Sequence, residues 1–111
     1  MKIAIIGSRN LVVNNIGDYL PKDVAEIVSG GAKGIDTCAR IYAIKNNIKL
    51  TEFLPNYNEF GKRAPLIRNL EIIDYADEVI AFWDGESRGT KFVIDNCKNR
   101  NKRVKILVLK K

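Results

Sequence analysis

The sequence predicts an α/β fold: a three-layer α/β/α sandwich around a five-stranded parallel sheet with strand order 3-2-1-4-5. Short apolar segments rich in β-branched residues alternate with helical segments along the chain, which is the pattern of parallel strands joined by right-handed crossovers. Three of these strands run directly into glycine-bearing loops. In the predicted order the chain reverses direction between strands 1 and 4, so we expect a ligand crevice outside the carboxyl ends of those strands.

The five predicted strands are apolar segments with the β-branched and aromatic content of central sheet positions. They run from Lys2 to Ile6, Glu26 to Ser29, Lys49 to Leu54, Glu78 to Phe82 and Lys105 to Leu109. The helical segments between them are Asn14 to Leu20, Ile35 to Asn46, Pro65 to Tyr75 and Thr90 to Asn99. The polar connection from Pro55 to Ala64 is predicted as an extended loop, long enough to form the rim or lid of a site.

Length and composition predict a single domain over residues 1–111. No apolar run reaches the length of a membrane span or a secretory signal, so we expect a soluble cytoplasmic protein without a membrane partner. The two cysteines, Cys38 and Cys97, have no CxxC spacing, and the chain contains no histidine. A zinc site or a redox motif is therefore not expected, and neither a metal nor a cofactor is predicted.

The net charge of +6 is concentrated near the C-terminus. Residues 91–111 contain eight basic residues and one acidic residue, a net charge of +7, which leaves −1 for the remainder of the chain. The basic residues are Lys91, Lys98, Arg100, Lys102, Arg103, Lys105, Lys110 and Lys111. This distribution is typical of a solvated surface, and the alternative is a docking patch for a nucleic-acid backbone.

The tripeptide Gly7-Ser8-Arg9 follows the first strand. Small residues at this point leave backbone N–H groups accessible, and the planar, permanently charged guanidinium of Arg9 can bind a phosphate or a carboxylate. The alternative is a surface arginine after a tight turn. On its own the tripeptide does not decide between the two interpretations.

The second glycine loop, from Gly30 through Gly31 and Gly34 to Asp36, gives a stronger indication. Three glycines at a strand-to-helix junction indicate positive φ angles or the close approach of a ligand. The loop has neither the GxGxxG pattern nor the Lys-Ser/Thr pair of a Walker A motif. Asp36 lies in the first helical turn, where it could bind a ribose hydroxyl or compensate the helix dipole.

Arg68 and Asn69 follow Pro65 by three and four positions, near the start of the third predicted helix. Pro65 suits the first turn of a helix, because a residue at that position does not need its N–H for an intrahelical hydrogen bond. One turn of helix could present Arg68 to the crevice, where it would bind a phosphate or a developing negative charge. An ordinary solvent-facing arginine is the alternative.

The fourth strand ends in a turn that contains Asp84, Gly85, Ser87, Gly89 and Thr90. The glycines let the backbone approach a ligand closely, and the helix that follows directs its free N–H groups towards an anion. The hydroxyl groups of Ser87 and Thr90 are either phosphate ligands or helix caps. The glycine spacing favours the ligand interpretation, so a nucleotide-like ligand is predicted at this turn.

Four ordered motifs together resemble a known family. The segments MKIAIIGSR, VSGGAKGID, FLPNYNEFGKRAPLIRN and ADEVIAFWDGESRGT are similar to the successive signatures of YspA/YpsA-related proteins of the SLOG superfamily. That superfamily also includes the LOG-type phosphoribohydrolases and the core of the DNA-processing protein A. The resemblance extends from residue 1 to about residue 95, and it implies a Rossmann-like fold that binds nucleotides or nucleotide-derived ligands, often as a homodimer.

The LOG-type enzymes, which cleave the N-glycosidic bond of a nucleoside monophosphate, have the hallmark PGGxGTxxE and an arginine one helix earlier. Arg68 resembles that arginine, and Gly89-Thr90 matches the Gly-Thr pair. However, Val93 occupies the position of the family glutamate. Because glycoside cleavage usually needs two carboxyl groups, this departure favours ligand binding over cleavage.

Three functions are therefore considered. The first is the binding of a nucleotide or nucleotide-derived small ligand by a sensor or carrier. The second is a nucleotide N-glycosidic hydrolase, for which Arg68, Asp84 and Asp36 are the candidate catalytic residues. The third is a nucleic-acid-binding protein that uses the basic C-terminal region, although the chain lacks the interleaved aromatic residues typical of single-strand binders.

Overall fold

The sheet of the computed structural model, which describes residues 1–109, contains five parallel strands in the order β3-β2-β1-β4-β5. The strands are β1 (Lys2–Gly7), β2 (Glu26–Ser29), β3 (Lys49–Glu52), β4 (Glu78–Trp83) and β5 (Val104–Val108). The predicted α/β class, the all-parallel arrangement and the strand order are confirmed. Consequently β1 and β4 lie side by side at the centre, and the chain reverses direction between them.

Four α-helices and two 3₁₀ turns connect the strands. The α-helices are α1 (Ile35–Lys45), α2 (Tyr57–Phe60), α3 (Ala64–Tyr75) and α4 (Arg88–Asn99). The 3₁₀ turns are Ile16–Tyr19 and Gly61–Arg63. The helices predicted at the second, third and fourth positions are present, with ends that differ by at most two residues.

Two local predictions are wrong. The helix expected from Asn14 to Leu20 is only the 3₁₀ turn Ile16–Tyr19, because asparagine, glycine and aspartate are weak helix formers over so short a segment. The segment from Pro55 to Ala64 is not an extended loop, since it contains α2 and the second 3₁₀ turn. Asn56 begins α2, because its side-chain oxygen accepts a hydrogen bond of 3.2 Å from the backbone N–H of Glu59.

The sheet separates two apolar clusters. On one face α1 packs its buried side chains, among them Ile35 and Ala39, against inward residues of the strands such as Phe82. On the other face α3 and α4 pack residues such as Ile72 and Val93 against the sheet. The three layers therefore have a core on each side of the sheet, as the alternating pattern of strands and helices predicts.

Both cysteines are free thiols. Cys38 lies on α1 and is half-buried against the apolar cluster on that face of the sheet. Cys97 lies on α4 and is fully buried in the cluster on the other face. Burial raises the pKa of the Cys97 thiol to about 11, so this side chain stays protonated at neutral pH. Its environment is that of a packing residue. Within residues 1–109, no helix has the length and apolar character that a membrane crossing requires.

Candidate functional site

A cavity of about 410 Å³ opens at the carboxyl edge of the sheet, outside β1 and β4. Ten residues that the sequence suggested as ligand-binding line it: Gly7, Arg9, Gly30, Asp36, Arg68, Asn69, Asp84, Ser87, Gly89 and Thr90. They come from the loops that follow β1, β2 and β4, from the first turns of α1 and α4, and from α3. The fold therefore gathers these separate motifs around one space, while their binding of a ligand stays a prediction.

Ser8 belongs to the same set of predicted residues but does not line the cavity. It is buried, and its hydroxyl oxygen accepts a hydrogen bond of 3.2 Å from the backbone N–H of Asp84. Its own backbone N–H donates to the carbonyl oxygen of Phe82 at 3.0 Å. Ser8 therefore joins the loop after β1 to the loop after β4.

Three predicted glycines, Gly31, Gly34 and Gly85, also lie outside the cavity lining. All three have φ between 70° and 85°, a backbone conformation that residues with a side chain rarely adopt. At Gly34 an added Cβ would lie 2.5 Å from the backbone oxygen of Arg9, so the two loops touch directly. The structure gives these glycines a role in shaping the loops.

Arg68, which lines the cavity, connects three segments of the chain through its guanidinium group. Its Nη1 donates hydrogen bonds to the carbonyl oxygens of Gly30 at 2.6 Å and Phe53 at 3.3 Å, and its Nε donates to Oδ1 of Asn69 at 2.9 Å. An added Cβ at Gly30 would lie 2.6 Å from Nη1, so the absence of a side chain there permits the approach of the guanidinium. Arg68 thus holds the β2–α1 loop against the end of β3.

Asp36 and Arg68 are both only 7% exposed and influence each other electrostatically. Burial raises the pKa of Asp36, although a hydrogen bond of 3.0 Å from the N–H of Ala32 and the charge of Arg68 act in the opposite direction. Burial lowers the pKa of Arg68; Asp36 and the nearby phenol of Tyr57 oppose this effect, and Arg9 adds to it. The cavity therefore contains a buried carboxyl group beside a guanidinium.

Asp84 holds the loop after β4 in place. Its Oδ1 accepts hydrogen bonds from the backbone N–H groups of Glu86 at 2.9 Å and Ser87 at 2.7 Å. These two bonds lower the pKa of Asp84, so its carboxylate is ionised at neutral pH. The indole Nε1 of Trp83 donates to the carbonyl oxygen of Ser87 at 3.0 Å and adds a second tie to the same turn.

The first turn of α4 faces the cavity through Gly89 and Thr90. No atom lies within 4 Å of the position that a Cβ of Gly89 would occupy. The first N–H groups of a helix have no partner inside the helix, and they attract anions together with the helix dipole. This turn therefore offers backbone donors beside open space, and the half-buried Ser87 hydroxyl lies 3.4 Å from that of buried Thr90.

Seven lining residues were not predicted: Ile6, Asn10, Ala32, Pro65, Leu66, Ile72 and Val93. Helical periodicity contained the signal for some of them, because Pro65 and Ile72 lie one turn to either side of Arg68. Val93 follows Gly89 by four positions on α4, so it faces the same space. An apolar side chain therefore lines the cavity at the position where LOG-type enzymes have their glutamate.

The basic C-terminal region is largely engaged within the molecule. Three of its residues form ion pairs: Lys91 with Asp95, Arg100 with Asp74 and Arg103 with Glu78. The Lys105 ammonium lies 5.5 Å from the ring centre of Tyr19, and Lys102 donates to a backbone carbonyl. Lys110 and Lys111 lie outside the described residues. These partners support the interpretation of a solvated surface over that of a phosphate-binding patch.

Comparison with known proteins identifies a family. The family model described as DNA recombination-mediator protein A matches residues 1–105, which include all four motifs and the whole lining of the cavity. No curated protein and no solved structure matches the chain.

Proposed function

The chain belongs to the DNA recombination-mediator protein A family, and from this premise we propose that it binds a nucleotide or a nucleotide-derived small ligand as a sensor or carrier. Its relation to the SLOG superfamily agrees with the family match. We also propose that the chain is more closely related to YspA/YpsA-related proteins and forms the homodimer that this resemblance implies. The proposed site is the cavity at the carboxyl edge of the sheet.

One observation carries the proposal: the open first turn of α4 and two arginines, Arg9 and Arg68, line the same cavity at the point where the chain reverses direction. In parallel α/β sheets this crevice is the usual ligand site, and a helix N-terminus there commonly binds a phosphate. The volume of about 410 Å³ lies within the range of small-molecule sites, about 300–1,000 Å³. A single nucleotide-sized ligand is therefore favoured.

The two arginines have different parts in this proposal. Among residues 1–109 the hydrogen bonds of Arg68 use Nε and Nη1, so Nη2 is its nitrogen with capacity for a ligand. Arg9 is exposed at the cavity and can turn towards an anion. We therefore assign the main contact with the phosphate to Arg9 and to the N–H groups of α4, with Arg68 as a fixed positive charge behind them.

Hydrolysis of an N-glycosidic bond is the second candidate. Its support is Asp36, since a buried carboxyl with a raised pKa beside an arginine is a typical general acid. Val93 opposes it, because a second carboxyl group at the position used by LOG-type enzymes is replaced by an apolar side chain. Binding of nucleic acid is a third candidate, which the name of the family favours and the internal ion pairs of the basic region disfavour.

Titration calorimetry with adenosine monophosphate tests the proposal. We expect saturable binding, and we expect Arg9→Ala to weaken it about tenfold or more, since a hydrogen bond to a charged group contributes about 1.5–3 kcal/mol. Lys22→Ala removes an exposed positive charge that does not line the cavity and is the matched control. Equal affinities for the Arg9 and Lys22 variants would assign the binding to general charge and contradict the proposed site.

Chromatography of the same mixtures separates binding from hydrolysis. Under the leading proposal adenosine monophosphate is recovered intact after prolonged incubation. Release of free adenine that Asp36→Asn abolishes would establish the hydrolase instead. For the nucleic-acid candidate, the affinity for a single-stranded oligonucleotide should depend steeply on salt and should fall in a Lys102→Ala, Arg103→Ala double variant.

A further inference from the structure

An exposed apolar rim lies beside the cavity on the segment that joins β3 to α3. It consists of Leu54, Tyr57, Phe60 and Leu66, whose exposed fractions are 66%, 58%, 37% and 41%. Large apolar side chains clustered on a surface usually mark a binding site, whereas single ones are common and need no explanation. Four such side chains lie within thirteen residues of the chain, so this segment is a candidate binding surface.

Several contacts connect the rim to the cavity. Leu66 lines the cavity on the first turn of α3, two residues before Arg68. The short helix α2, which begins with Tyr57, lies against α3, which carries Arg68. The Leu54 side chain lies against Gly31, the neighbour of the cavity residue Gly30. The rim is thus continuous with the polar site.

The backbone beneath Tyr57 is held in place. The Oδ1 of Asn56 accepts from the N–H of Glu59 at 3.2 Å, and its Nδ2 donates to the Glu59 carboxylate at 3.3 Å. These two bonds hold the start of α2 and with it the backbone of Tyr57. An aromatic ring on a fixed backbone loses little conformational entropy when a flat ligand stacks on it.

We propose that Tyr57, flanked by Leu54, Phe60 and Leu66, binds the planar heterocyclic base of the ligand whose phosphate lies at α4. The inference rests on the proposed function and adds a site for the base, so the ligand must carry an anion at one end and a flat aromatic ring at the other. A sugar phosphate without a base would leave the rim uncovered.

Charge favours this occupant over a second copy of the chain. The rim segment, residues 54–66, contains the exposed cations Lys62 and Arg63 and one exposed carboxylate, Glu59, so it is net positive. A symmetric dimer through this face would place two net positive segments against each other. A nucleotide instead presents negative charge next to these cations and a flat surface next to Tyr57.

Calorimetry with adenosine monophosphate, ribose 5-phosphate and inorganic phosphate tests the inference. The wild-type protein should bind adenosine monophosphate about 5- to 150-fold more tightly than ribose 5-phosphate, the range that stacking of one base on an aromatic side chain produces. Tyr57→Ala should remove most of this preference and leave the affinity for ribose 5-phosphate unchanged. Tyr57→Phe should retain the preference, since the ring is kept.

Ile41→Ala, which truncates an equally exposed apolar side chain on α1, is the control and should change neither affinity. Equal wild-type affinities for the two ligands, or an unchanged preference in Tyr57→Ala, would overturn the base site and leave the phosphate site intact. Failure of all three probes to bind would overturn the proposed function as well. Light scattering gives a further check: a wild-type dimer that Tyr57→Ala dissociates would make the rim a subunit interface and overturn the inference.

Discussion

Two of the glycine-bearing loops that border the cavity, β2–α1 and β4–α4, are built in different ways. In the β2–α1 loop, an added Cβ at Gly30, Gly31 or Gly34 would meet another atom at 2.5–2.7 Å. In the β4–α4 region, neither Gly85 nor Gly89 has any atom within 4 Å of that position. The first group of glycines makes room for the protein itself, and the second leaves open space.

The hydrogen bonds that hold the two loops also differ: buried residues hold the first, and a residue within the turn holds the second. Arg68 and Asp36, both buried, hold the β2–α1 loop from below. The β4–α4 loop is held by Asp84, a half-buried residue within the turn. Glycines that look alike in the sequence can therefore belong to a tightly packed loop or to an open turn that faces the ligand site. The difference depends on whether residues distant in the sequence pack against them.

The largest effect is expected from Arg68→Ala, which removes the support of the packed loop. The carbonyl oxygens of Gly30 and Phe53 lose their donor, at about 1–3 kcal/mol for each one left buried without a partner. Urea denaturation should show the free energy of unfolding lowered by about 2–5 kcal/mol. The exposed Arg63→Ala on the preceding turn should change it by less than about 0.5 kcal/mol, and a similar result for both variants would contradict the supporting role.

Gly34→Ala tests the contact between the packed loop and Arg9. Strain at positive φ and a collision with a backbone oxygen should together lower the free energy of unfolding by about 2–4 kcal/mol. Gly61 is a close control, because its φ of 58° and ψ of −134° resemble the 72° and −121° of Gly34, while nothing lies within 4 Å of its Cβ position. If Gly61→Ala lowers the free energy of unfolding by as much as Gly34→Ala in thermal denaturation, backbone strain accounts for the whole effect.

Gly89→Ala tests the open turn. The added methyl group has space, and alanine is the better helix former, so the free energy of unfolding should stay the same or rise by up to about 1 kcal/mol. The same methyl group would enter the space assigned to the phosphate, and calorimetry should show adenosine monophosphate binding several-fold more weakly. A variant with unchanged affinity would remove the first turn of α4 from the proposed site.

The smallest effect is a difference in pH dependence between two aspartates, one from each loop. The pKa of Asp36 is raised by burial, so the folded protein binds more protons there than the unfolded chain, and this group lowers stability as pH rises above about 4. The pKa of Asp84 is lowered by its backbone hydrogen bonds, so its contribution is present above about pH 4 and is lost as pH falls further.

Asn substitutions at the two positions measure these opposite slopes. Relative to the wild type, Asp36→Asn should gain stability as pH rises above about 4, and Asp84→Asn should gain stability as pH falls below about 4. Melting temperatures recorded across pH 3–7 provide the measurement. Parallel curves for the two variants would mean that the loops do not differ in their electrostatics.

The sequence contained enough information for the sheet and for the convergence of the loops. The alternation of apolar strands and helices predicts the parallel sheet, and the doubly wound strand order favoured for such a sheet brings Gly7, Gly30 and Gly89 to one edge. The sequence did not predict smaller elements such as the short helix α2. The short helix α2, which begins with Tyr57, depends on the cap that the Asn56 side chain provides. In the sequence, a single asparagine in a polar segment is only a weak signal for the start of a helix.

By itself, the sequence determined the fold class, the strand order and the edge of the sheet where the cavity lies, because these follow from local periodicity and from general rules of chain connection. Only the tertiary structure decided what each glycine and arginine does there. The hydrogen bond between Arg68 and Gly30 joins residues 38 positions apart, so neither local propensity nor motif spacing could predict it. That contact makes Arg68 a support of the packed loop and leaves Arg9, with the open turn of α4, as the part of the cavity proposed to receive the ligand's phosphate.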